Sequence, residues 1–102
     1  MSLSALRLVA PIGNDKFLAV KITFKLFASL AQYLPNDAVR NIIELDVAPD
    51  TSVHEIIERF QIPRVSAHLI LINGLYVEPH DRDRPMLKAG DALAIWPPVA
   101  GG

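Results

Sequence analysis

The 102-residue chain is 51% apolar, carries a formal net charge of −1 and contains no cysteine. This predicts a single folded domain and excludes disulfides, thiolate metal sites, cysteine-held clusters and a cysteine nucleophile. Lys and Arg are scattered rather than gathered into a basic stripe, which argues against nucleic acid or an anionic membrane surface as partner.

Residues 1–19 read as an N-terminal extension, expected to be flexible. Ser2 to Ile12 is mostly apolar, but Arg7 interrupts it and no small-residue cleavage site follows. It is also far short of the ~20 apolar residues of a membrane span. Pro11, Gly13 and Asn14 then break it as a loop. An added strand on the domain edge is the alternative. With neither leader nor span, the expected location is cytoplasmic.

The domain itself is placed at residues 20–98. Val20 to Phe27 alternates, with Ile22, Phe24 and Leu26 expected inward and Lys21, Thr23 and Lys25 outward, the period of a half-buried strand. Ala28 to Tyr33 reads as a short connector and Pro35-Asn36-Asp37 as a turn. Ile43, Leu45 and Val47 alternate with Glu44 and Asp46, predicting a second strand antiparallel to the first.

Pro49-Asp50-Thr51-Ser52 reads as a helix start; Ser52 with Glu55 fits a capping box, and Thr51 is a competing cap. Val53, Ile56, Ile57 and Phe60 form one apolar stripe, predicting a helix of about three turns laid on a sheet. Pro63 ends it, because the residue before proline is pushed out of the α region.

Leu69 to Ile72 is a continuous apolar run, read as a strand buried on both faces. Asn73-Gly74 is a strong hairpin turn signal, and Leu75-Tyr76-Val77 is the return strand. Glu78 to Pro85 is polar and proline-bounded, so an exposed loop is expected. Lys88-Ala89-Gly90-Asp91 makes another turn, and Ala92 to Trp96 is the last strand. The order is β-β-α-β-β-β, an α+β chain.

The sequence closes Pro97-Pro98-Val99-Ala100-Gly101-Gly102. Two prolines stiffen the exit from the last strand, and glycine, lacking Cβ, passes through channels closed to other residues. Residues 99–102 are therefore read as a flexible tail with the Gly102 carboxylate as its working group. Extended, Val99 to Gly102 reaches about 13 Å.

No other constellation competes with it. His54, His68 and His80 share no metal-ligand spacing, so no metal site is expected. Asp81-Arg82-Asp83-Arg84 neutralises itself and reads as a solvated loop. Glu55 and Glu58 belong to a helix cap and outer face. Ser29, Ser52 and Ser66 lack a histidine–acid pattern, and there is no phosphate-binding loop. With no catalytic constellation, the chain alone is not read as an enzyme. Trp96 reads equally as core or as a docking anchor.

The element order, the Ile72-Asn73-Gly74 and Lys88-Ala89-Gly90-Asp91 turns and the Pro97–Gly102 ending together resemble the MoaD/ThiS sulfur-carrier family. The likeness covers residues 20–102, and the ending looks most like that of molybdopterin synthase small subunits. It implies a ubiquitin-like β-grasp fold, a mixed sheet of four to five strands with one main helix on one face. It also implies that an E1-like adenylyltransferase consumes ATP to adenylate Gly102, after which a sulfur donor leaves a thiocarboxylate. No cofactor is bound by the carrier itself.

By the same resemblance, sulfur passes to a pterin precursor in the molybdopterin synthase large subunit, or to an equivalent acceptor enzyme. Gly101 and Gly102 would react, while Trp96, Pro97, Pro98, Val99 and Ala100 meet the partner together with one exposed sheet face. The isolated chain is expected to be monomeric. Alternatives are a carrier for thiamin or another sulfur-containing metabolite, a ubiquitin-like modifier joined to lysines, and a passive β-grasp interaction module.

Overall fold

A computed structural model of the chain describes residues 19–99. Residues 1–18 of the extension expected at 1–19, and the tail end at Ala100, Gly101 and Gly102, lie outside the described residues. Strand β1 (Val20–Leu26) places Ile22, Phe24 and Leu26 inward, all essentially inaccessible, as its alternation requires. It pairs antiparallel with β2 (Ile42–Val47), Ile22 facing Leu45 and Phe24 facing Ile43. The connector between them coils into a short 3-10 helix at Ala28–Tyr33 that buries Leu30.

The helix α1 (Val53–Arg59) begins as its cap residues dictate. The Glu55 N–H donates to Ser52 Oγ at 3.1 Å, and the Ser52 N–H donates to Glu55 Oε1 at 2.7 Å. This reciprocal pair satisfies two of the orphan donors at the helix start. Val53, Ile56 and Ile57 are buried, and Phe60 packs beside them with its ring centroid 5.0 Å from that of Phe24. Full burial of the three aliphatic side chains favours folding by ~5–9 kcal/mol before entropy is subtracted.

The helix is shorter than the expected three turns, at seven residues. Phe60 already leaves helical geometry, and Gln61 adopts a positive φ of 59° that stops propagation before Pro63 is reached.

Strands β3 (Leu69–Ile72) and β4 (Leu75–Tyr76) form the expected hairpin. Asn73 and Gly74 both take positive φ, 53° and 82°, the signature of a primed turn that matches strand twist. Strand β5 (Ala92–Trp96) then inserts between β1 and β3, parallel to the first and antiparallel to the second. The sheet order is β2-β1-β5-β3-β4. This is a mixed five-stranded sheet with one main helix, the expected β-grasp architecture.

Two expectations are corrected. β3 is not buried on both faces: Ile70 is fully buried, whereas Leu69 is 37% exposed. Among the described residues α1 and the loops cover only one sheet face, so every second β3 side chain faces outward. Nor is 78–85 wholly a solvated loop. It contains a 3-10 turn at Pro79–Asp81, and its Arg82 is only 7% exposed. Backbone and side-chain acceptors from neighbouring segments draw that guanidinium inward.

Candidate functional site at the root of the C-terminal arm

The site is built at the end of β5. Leu93 and Ile95 point into the core, so alternation turns Ala92, Ala94 and Trp96 to the outer face. The same rule carries Phe27, the residue after inward-facing Leu26, outward at the end of the neighbouring parallel strand. The two rings meet there, centroids 4.3 Å apart and planes 6° from parallel. From the other side Leu69 lies opposite Trp96 across the β3–β5 pair.

Two backbone bonds fix this strand end. The Phe27 N–H donates to the Ile95 carbonyl at 3.1 Å, and the His68 N–H donates to the Trp96 carbonyl at 3.0 Å. Pro97 and Pro98 follow and have no N–H to continue the ladder, so the chain leaves the sheet here. Pro97 is half-buried, Pro98 is exposed and Val99 is 76% exposed.

An open, mainly apolar groove of about 500 Å³ results, lined by Ala28, His68, Leu69, Trp96, Pro97, Pro98 and Val99. Its apolar lining and its only imidazole, His68, suit docking against an apolar partner surface rather than acid–base chemistry. The expected partner-binding residues Trp96, Pro97, Pro98 and Val99 thus share one groove, and Ala100 to Gly102 lie beyond the described residues. Sequence reasoning missed Phe27, Ala28, His68 and Leu69. Carrying β1's alternation one residue past Leu26 would have found Phe27.

The outer sheet face continues from the groove in two unlike halves. Leu69, Leu71 and Ala94 continue the apolar surface along β3 and β5. On the β1–β2 side Lys21 faces Asp46, 3.1 Å apart, and Thr23 faces Glu44. A second cleft of about 410 Å³ lies at the opposite end of β5, between Leu75, Tyr76, Met86, Lys88 and Asp91. Asp91 is spent there on turn geometry, accepting from the Lys88 N–H at 2.8 Å and from Asn73 Nδ2 at 2.9 Å.

The histidines do not converge. Among the described residues no group of three or more His, Cys, Asp or Glu side chains is placed to hold a metal ion. His54 instead pairs with Asp83, Nδ1 to Oδ1 2.6 Å, tying α1 to the 78–85 loop. That hydrogen bond, aided by the charges of His54 and Arg64, holds the Asp83 carboxyl below its ordinary value. Among the described residues no helix is long and apolar enough to cross a membrane.

A β-grasp sheet whose central strand runs out into a proline-stiffened arm beside an apolar groove defines a ubiquitin-like protein. Residues 19–101 match the Mut7-C ubiquitin family, and the chain belongs to that family. No curated protein matches it.

Solved structures agree on the fold. HVO 2177 of Haloferax volcanii superposes with a TM-score of 0.66 at 21% identity, covering 83% of this chain and 89% of that one. SAMP1 of the same organism is 27% identical with a TM-score of 0.55, over 80% of this chain and 99% of that one. A protein provisionally assigned as molybdopterin converting factor, subunit 1, from Pyrococcus furiosus matches at 24% identity and a TM-score of 0.53. It covers 78% of this chain and 99% of its own. The resemblance to MoaD/ThiS proteins therefore holds at the level of a ubiquitin-fold relative, and not for the molybdopterin synthase subunit in particular.

Proposed function

We propose that the chain is a sulfur carrier whose Gly102 carboxylate is adenylated by an E1-like enzyme and converted to a thiocarboxylate. The observation that carries this reading is the arm root. The central strand ends at Trp96, two prolines direct the chain off the sheet, and the residues that follow are Val-Ala-Gly-Gly. The domain docks through the Trp96–Val99 groove and the apolar half of the outer face, while the Ala100–Gly102 end enters a narrow partner site.

The chemistry requires activation first, because a carboxylate is a poor electrophile and AMP is a good leaving group. ATP is consumed by the partner, and this chain supplies the acyl group. Sulfur carried at the terminus needs no thiol in the carrier, in keeping with the absence of cysteine. The acceptor proposed is a pterin precursor, as in molybdenum cofactor synthesis, with a thiamin-pathway or other metabolite as the alternative.

A second reading has its own support. SAMP1, 27% identical to this chain, belongs to proteins named small archaeal modifiers. As a modifier the chain would use the same activated glycine but transfer it to protein lysines. Incubation with ATP, activating enzyme and a cell extract separates the two. Lysine adducts that survive reducing gels indicate the modifier, and a thiocarboxylate without adducts indicates the carrier. Transfer of either kind from a protein lacking Gly102 would contradict both.

A further inference from the structure

Arg82 is the buried group that the arm root has not yet used. Its guanidinium is nearly inaccessible and has no carboxylate in salt-bridge range among the described residues. Its donors go to four oxygens instead. Nε donates to the Val77 carbonyl at 3.1 Å, and Nη1 to the Ala67 carbonyl at 3.4 Å. Nη2 is shared between the His68 carbonyl at 3.2 Å and the Tyr76 hydroxyl at 3.4 Å. The Arg82 carbonyl in turn accepts from the His54 N–H of α1 at 2.9 Å.

A buried cation without a counter-ion carries a desolvation cost that loop closure alone does not require. What it holds is specific. Ala67 and His68 are the entry to β3, and the Ala67–His68 peptide is gripped at both ends. Its Ala67 carbonyl accepts from Arg82 Nη1, while its His68 N–H donates to the Trp96 carbonyl, beyond which Pro97 and Pro98 offer no donor. Hydrogen bonds in such a chain polarise and strengthen one another.

We propose that Arg82 is a positioning residue for the arm: through His68 it fixes the end of β5 and hence the direction in which Pro97 leaves the sheet. The role in catalysis rests on the proposed chemistry at Gly102. A fork of five N–H donors in one plane reaches carbonyls from two segments at once, which the single ammonium of lysine does not reproduce. Loss of the fork frees the arm to leave in several directions. The fraction of molecules with Gly102 correctly presented then falls, while the outer-face docking surface is preserved.

The test compares the full chain with Arg82→Met and Arg82→Lys in two arms. In amide hydrogen exchange, Arg82→Met is expected to speed exchange at His68 by about tenfold, the loss of one charge-assisted bond's net contribution. Exchange at Ile70, deep in β3, changes less. In ATP-dependent activation by an E1-like enzyme, kcat is expected to fall by about tenfold with KM within about threefold, the pattern of lost positioning rather than lost docking. Arg82→Lys lies between the two in both readouts, and it carries the test by itself where the methionine variant is too unstable to purify.

The arms fail separately. An unreactive wild-type protein counts against the proposed function, whereas unchanged His68 exchange in a folded variant overturns the positioning role. A KM increase with unchanged kcat overturns it as well.

Discussion

Phe27 and Trp96 stack at 4.3 Å on the open face of the sheet, one at the end of β1 and the other at the last position of β5. The stack joins two parallel strands at the point where the arm departs, so it is both a brace and a surface. An aromatic pair of this kind contributes about 0.5–1.5 kcal/mol beyond its buried area. Trp96→Ala is therefore expected to lower stability modestly and leave the sheet intact by circular dichroism. Its larger effect falls on partner binding, where loss of a central aromatic anchor costs about 2 kcal/mol, roughly thirtyfold in Kd. Calorimetric titration with an activating enzyme measures it, and unchanged affinity would remove Trp96 from the interface.

Ser52 begins the one α-helix among the described residues with a complete capping box. Ser52→Ala removes the acceptor for the Glu55 N–H and is expected to cost about 1 kcal/mol, while Ser52→Asp is close to neutral. Urea unfolding with unchanged m-value is the readout. Equal losses from both variants would mean that the buried hydroxyl matters for packing rather than for the cap.

Ile57 is fully buried between α1 and the sheet, whereas Val65 is 84% exposed. Ile57→Ala is expected to cost about 2–5 kcal/mol through lost transfer energy and a residual cavity. Val65→Ala stays within about 0.5 kcal/mol. Comparing the two by thermal unfolding tests the placement of the core on one face only.

Asp83 has its carboxyl pKa lowered, first by the hydrogen bond from His54 and then by the charges of His54 and Arg64. A depressed folded-state pKa stabilises the native protein above the ordinary carboxylate range. That contribution disappears as pH falls through the lowered value. Asp83 is solvent-facing, so the effect is small. Wild type is expected to melt slightly above Asp83→Asn at neutral pH, with the gap closing in acid. A gap that persists or widens in acid would assign the stabilisation to something other than the ionised carboxylate.

Much of the fold was legible because local pattern and tertiary role coincide. The alternation of Ile22, Phe24 and Leu26, the Ser52–Glu55 box and the Asn73-Gly74 turn each encode their own geometry within a few residues. The misreadings fall where distant partners decide. Leu69 to Ile72 carries no mark of whether a second layer covers the sheet, so burial on both faces was the wrong inference. Arg82 sits in a self-neutralising Asp-Arg-Asp-Arg run, yet it is buried by carbonyls of Ala67, His68 and Val77, which leave no trace in side-chain sequence. At the site, Trp96 to Val99 were visible as a segment. Their neighbours Phe27, His68 and Leu69 became part of it only through strand pairing.

The central claim is tested most directly by intact mass spectrometry of the full chain after incubation with ATP, an E1-like activating enzyme and a sulfur source. The account predicts a mass gain equal to one oxygen-to-sulfur exchange, localised by fragmentation to Gly102 and dependent on ATP. An unchanged mass, with an enzyme that activates another carrier in the same reaction and binds this chain, would contradict it.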